Sequence, residues 1–174
     1  MSNAKKVKEI MVKLTDYPHI PYWMNIRDAI AMIHSVYDEK SGLGENRMVL
    51  VFDESYQLLG ILRLKNLLAG IEPKFLRKDD KSKYQGLAHD DYASLSALVE
   101  GTFSENCKKE AKKPVSEVMT PIKATVDVND SVVKAAFIML QTNYNLIPVM
   151  DGKKVTGVLR MSDVFNELTK IVIE

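Results

Sequence analysis

Apolar residues along this chain change their spacing in a set order, and that order occurs twice. Val132, Ala135, Ala136, Met139 and Leu140 fall on one helical face behind the cap-forming run Asn129-Asp130-Ser131. This spacing predicts an amphipathic helix. Leu146 to Met150 is then a short apolar strand, Asp151-Gly152 supplies a hairpin turn, and Val155 to Leu159 reads as the returning strand. Ser162-Asp163 starts a last helix carrying Val164, Phe165, Leu168 and Ile171. The predicted unit is strand, helix, strand, strand, helix.

The earlier half repeats it. Ile26, Ala29, Ile30, Ile33 and Val36 mark a helix, followed by strands over Met48 to Phe52 and Leu58 to Leu62. Three landmarks recur in order. Val7-Lys8-Glu9-Ile10-Met11 returns as Val115-Ser116-Glu117-Val118-Met119, Val51-Phe52-Asp53 as Val149-Met150-Asp151, and Gly60-Ile61-Leu62-Arg63 as Gly157-Val158-Leu159-Arg160. The boundaries follow: a first unit over 5–70, an insert over 71–113 and a second unit over 114–174. Tyr37 to Asn46 lengthens the first copy and is expected to be a surface loop. The insert holds the charged run Lys78 to Lys83, expected to be solvated, and then Tyr92, Leu95, Leu98, Val99 and Phe103 at helical spacing. That second part predicts a helix that packs on its own chain, on a dimer mate or on a docking partner.

Composition narrows the function. The chain has 174 residues, 46% hydrophobic and 27% charged, enough for a real core. Lysine plus arginine is 24 against 23 acidic residues, so no global field is available to hold nucleic acid or an anionic membrane. Lys108, Lys109, Lys112 and Lys113 flank Glu110 and read more simply as the basic end of a helix. No apolar run approaches the roughly 18 residues of a membrane span. One cysteine, Cys107, cannot form an internal disulfide, and His19, His34 and His89 lack zinc-ligand spacing. A cytoplasmic protein without an export signal is expected, with Ser2-Asn3-Ala4 resembling a cloning remnant. There is no P-loop, no supported Ser/His/Asp arrangement and no metal cluster, so no enzyme is expected.

Glu117-Val118-Met119-Thr120-Pro121, Ile147-Pro148-Val149-Met150-Asp151 and Gly157-Val158-Leu159-Arg160-Met161-Ser162-Asp163 resemble a cystathionine-β-synthase (CBS) domain. The first copy is similar through Glu9-Ile10-Met11, Val51-Phe52-Asp53 and Gly60-Ile61-Leu62, so the chain resembles a tandem CBS pair, or Bateman module. The resemblance implies an α/β (α+β) fold of two β-α-β-β-α units packed as a pseudo-two-fold pair, an adenosine-nucleotide cleft, and a homodimer. Units of this size also gain stability by burying their sheet faces mutually.

The resemblance further implies ligand-binding residues. Asp163 would hold the ribose and Ser162 would assist the phosphate, roles suited to a carboxylate facing a diol and to the first turn of a helix. As plain structure, Ser162 is a helix cap and Asp163 a first-turn charge. Adenine would lie against Lys123, Ala124 and Thr125, with Ile147 and Pro148 as an apolar wall, although proline also suits an edge strand. Arg160 stands where the family usually carries threonine or serine, and Arg63 matches it in the first copy. Both are candidate phosphate clamps or surface ion-pair residues. Asn145 replaces part of a basic pair, which removes a phosphate contact. In the first copy Asn66 replaces the aspartate, Lys65 the hydroxyl residue and Leu50 the strand proline, so one competent site is expected. Lys65 and Arg47 could still reach a phosphate, and Asn66 could cap its helix.

The leading expectation is a regulatory module that requires no cofactor, senses AMP, ADP or ATP, AMP foremost, and modulates an unidentified partner protein through a cleft rearrangement. Another adenosyl ligand, such as S-adenosylmethionine, stays open on the sequence. The alternative is a ligand-free dimerisation or docking module.

Overall fold

The computed structural model describes residues 5–36, 48–72 and 103–173. The fold is mixed α/β with two four-stranded sheets. The strands are β1 (Val12–Lys13), β2 (His19–Pro21), β3 (Met48–Phe52), β4 (Leu58–Arg63), β5 (Thr120–Pro121), β6 (Val126–Asp127), β7 (Leu146–Asp151) and β8 (Lys154–Arg160). The helices are α1 (Ile26–Val36), α2 (Leu64–Ile71), α3 over 103–110, α4 (Val132–Thr142) and α5 (Met161–Ile173). Sheet orders are β1-β8-β7-β6 and β2-β3-β4-β5. The expected order recurs in both copies, as β2-α1-β3-β4-α2 and β6-α4-β7-β8-α5. The Tyr37–Asn46 loop, Arg47, the Lys78–Lys83 run and the expected insert helix up to Phe103 lie outside the described residues; Phe103 itself is exposed at the start of α3.

Contacts divide the chain into two compact units. One comprises Met1–Pro21, Met48–Ile61 and Pro121–Glu174, the other Tyr22–Arg47 and Leu62–Thr120. In the first unit, β7 and β8 form a hairpin from Asp151↔Lys154 to Leu146↔Arg160. Its turn is Gly152-Lys153, and Gly152 takes φ +61°, a left-handed conformation that favours glycine. β1, from the start of the chain, joins β8 antiparallel through Val12↔Val158 and Lys13↔Gly157. Backbone bonds from Val7 N to Asp130 O (2.9 Å) and Lys8 N to Val128 O (3.0 Å) tie the same segment to the entry of α4.

Successive residues of a strand face opposite sides. On one side of this sheet, Ile147, Val149 and Leu159 pack with Val7, Val132, Ala135, Met139 and Val164. On the other, Leu146 and Val158 pack with Met48, Leu50, Phe52 and Ile61, so a sheet face is buried against β3 and β4. Tyr17, in that second cluster, donates its hydroxyl to Met48 O at 3.0 Å. The helix faces are narrower than the sequence suggests. Val132, Ala135 and Met139 are buried, but Leu140 is 75% exposed, and Phe165, Ile171 and Val36 also face outward.

In the second unit, Ile26 N donates to Lys113 O and Arg27 N to Ala111 O, satisfying the first turn of α1 with a segment distant in sequence. Gly70 lets α2 come close: a Cβ there would lie 2.8 Å from Ile26 Cδ1 and 3.0 Å from Val118 Cγ1.

Candidate functional site

The second-copy residues singled out by the sequence are held by elements of one unit. β8 ends at Arg160 and α5 begins at Met161, so Arg160, Ser162 and Asp163 occupy the strand-to-helix junction. Met161 N donates to the carbonyl of Asn145 at 2.9 Å, which ties the start of β7 to the start of α5. Asn145 therefore acts here through its backbone, and its residue is exposed.

Arg160 and Asp163 form a forked ion pair. Nε donates to Oδ2 and Nη2 to Oδ1, both at 2.7 Å. The Arg160 side chain is 37% exposed and that of Asp163 is 16% exposed, so the pair sits at the rim of the fold. Two parallel charge-assisted bonds fix both planes, which a lysine could not do. A carboxylate offers about four lone-pair directions, and a fork takes one on each oxygen. The chemistry left to Asp163 is to accept further hydrogen bonds, and Ser162 beside it is exposed.

Pro148 lies in β7, an interior strand between β8 and β6, so the edge-strand expectation is corrected. It is tolerated because β6 pairs with β7 only from Val126↔Val149 onward, so no ladder partner stands at Pro148 on that side. The preceding residues Lys123, Ala124 and Thr125 therefore run outside the ladder, with Lys123 and Thr125 exposed and Ala124 half-buried. Ile122 anchors this segment against the Leu146 and Val158 cluster. Ile147 is fully buried on the face that packs under α4 and α5, so its side chain serves the core.

The first copy uses the equivalent positions differently. Asn66 Oδ1 accepts from the backbone N–H of Arg63 at 2.8 Å, and Asn66 Nδ2 donates to Thr120 Oγ1 at 3.2 Å. Asn66 is thus a clip between the start of α2 and Thr120, in keeping with the expected capping role, while Lys65 is exposed. Thr120 was not singled out by sequence reasoning. Its one signal is that it follows Met119 where Val12, without a hydroxyl, follows Met11 in the other copy.

Residues 115–170 match the family model described as CBS domain. No curated relative matches the sequence. Among solved structures, CBSX2 in complex with AMP is 20% identical with a TM-score of 0.60, covering 96% of this chain and 98% of that one. A CBS domain-containing protein from Kribbella flavida is 15% identical with a TM-score of 0.65, covering 95% and 98%. The CBS domain of the bacterial CNNM/CorC family Mg2+ transporter in complex with ATP is 16% identical with a TM-score of 0.62, covering 95% and 87%. Residues 115–170 are thus similar to a CBS domain, and along nearly the whole chain the fold is that of CBS-domain proteins.

Proposed function

We propose that the chain is a regulatory CBS module that binds an adenosine nucleotide at the β8–α5 junction and modulates a partner protein in a cytoplasmic setting, without catalysing a reaction. The observation that carries this reading is the Arg160–Asp163 fork, which sets a carboxylate and a guanidinium side by side at one strand end. Asp163 accepts the ribose diol on the lone pairs outside the fork, and Arg160 and Ser162 serve the phosphate. The unladdered segment Lys123-Ala124-Thr125 offers backbone groups to the edge of adenine, beside Pro148. Neighbouring structures that carry AMP and ATP support an adenosine nucleotide as the ligand class, and AMP is the first to test. The first-copy site, with Asn66 clipped to Thr120, is weak or inactive.

A thermal-shift panel with AMP, ADP, ATP and S-adenosylmethionine tests it. A nucleotide at 100 times its dissociation constant adds about 2.7 kcal/mol, roughly 5 to 10 °C for a chain of this size. Asp163→Ala should abolish the shift. No shift with any ligand on the wild type contradicts the reading.

A second reading, a ligand-free dimerisation or docking module, is favoured by one comparison between the copies. α1 and α4 bury matching positions, Ile26, Ala29 and Ile33 against Val132, Ala135 and Met139. At the matching outward positions α1 carries Arg27, Ala31 and His34, whereas α4 carries Val133, Phe137 and Leu140, 52%, 62% and 75% exposed. The fold does not require apolar residues there, since its own repeat does without them. A homodimer seated on this α4 face combines with nucleotide binding as readily as it replaces it.

A further inference from the structure

The two copies differ in one backbone bond. The pair Ile20↔Val51 in the first copy stands where Val126↔Val149 stands in the second, so Pro18 matches Ala124 and Leu50 matches Pro148. The β2–β3 ladder begins one pair earlier, at His19↔Leu50, and Leu50 N donates to Pro18 O at 3.2 Å. Val128 N donates to Met150 O at 2.9 Å, so the second-copy pairing runs on past β6. The bond that would end on Ala124 O is the one missing, because Pro148 has no N–H to give. Among the described residues, the carbonyl of half-buried Ala124 accepts no backbone hydrogen bond. In the first copy the matching segment is tied down at two further points: the His19 ring bonds Tyr17 O and the Tyr17 hydroxyl donates to Met48 O, both at 3.0 Å.

A proline in an interior strand costs a ladder bond and leaves an acceptor unmet. Leu50 shows that the repeat accommodates an ordinary residue here with the bond made. The second copy therefore forgoes a bond that its own repeat keeps. We infer that Pro148 is a positioning residue: it holds the Ala124 carbonyl out of the ladder, as an acceptor for the exocyclic amino group of the bound base, and Leu50 withdraws the same acceptor in the first copy. The inference rests on the reading of Lys123-Ala124-Thr125 as the adenine edge of the site. It gives the first copy a cause for inactivity that is independent of Asn66. A ladder bond to Ala124 would draw the segment against β7 and close the gap that the base edge enters. A 6-amino group donates to the carbonyl, whereas a 6-oxo group sets acceptor against acceptor and leaves both unmet.

Calorimetric titration of the full chain with AMP and inosine 5′-monophosphate, for wild type, Pro148→Leu and Pro148→Ala, tests the role, together with amide hydrogen exchange at position 148 of the variants. Wild type should bind AMP about tenfold or more tighter than inosine 5′-monophosphate, the scale of a polar group left unmet. In both variants the restored amide should be protected from exchange, AMP affinity should fall about tenfold, and the two nucleotides should come within about threefold of each other. A freely exchanging amide at 148, an AMP affinity that holds, or a loss shared equally by both nucleotides overturns the role and leaves the nucleotide reading intact. So does a wild type that binds the two equally, a comparison that decides the matter even if neither variant folds. A wild type that binds neither nucleotide overturns both readings.

Discussion

Asp130 illustrates how a single acid at an element boundary takes part in folding. The Lys134 ammonium, 2.7 Å from its carboxylate, holds it below the ordinary carboxylate range; partial burial opposes the shift and the Asp127 N–H adds to it. Because the native pKa is depressed, its stabilisation is complete above the ordinary value of about 4 and disappears as pH falls through the lower native value. Lys134→Met should therefore cost roughly 0.5 kcal/mol at neutral pH, read by urea unfolding, and nothing in strong acid. A cost independent of pH would contradict the assignment. Glu167 is lowered likewise by hydrogen bonds from Lys5 and then Lys170. Of this, the sequence revealed the cap but not the partners. Ser131, read as a cap, does accept from Lys134 N at 3.1 Å, whereas the Lys5–Glu167 pair joins residues that no local pattern connects.

At the scale of elements, the repeat landmark Gly157 acquires a cause. A Cβ there would lie 2.3 Å from the carbonyl oxygen of Val12, so β1 can pair with β8 only because this position is bare. Gly157→Ala should destabilise the chain by about 1 to 3 kcal/mol in chemical denaturation, since backbone must move to admit the methyl group. Gly152→Ala has open space around it and should cost about 1 kcal/mol through its left-handed φ alone. Equal costs would contradict this account of Gly157. The helices and strands given a range in the two copies were legible because periodicity reports burial on one face, and each of these appears within a residue or two of its expected place. Leu140 and Phe165 misled because apolar residues at helical spacing need not all lie on the face that packs on the sheet. The placement of Pro148 was equally hidden, since a strand's rank in a sheet depends on β6, which begins only at Val126. Arg160 was legible as a departure from the family pattern, but its fork onto Asp163 required the turn between β8 and α5.

For the whole molecule, the duplicated pattern sets the fold, and the proposed function rests on the differences between copies. One copy keeps a carboxylate at its strand-to-helix junction and an apolar outer face on its helix; the other carries Asn66 and the outward Arg27, Ala31 and His34. On the proposed homodimer, Phe137→Lys with Leu140→Lys should shift the mass seen by light scattering from two chains to one while the single chain stays folded by circular dichroism, because both side chains already face outward. An unchanged mass would move the interface elsewhere. The ligand claim rests on Asp163, and titration calorimetry with AMP addresses it directly. The account predicts one AMP per chain for the wild type and no detectable heat of binding for Asp163→Ala. Two AMP per chain, or undiminished binding by Asp163→Ala, would contradict it.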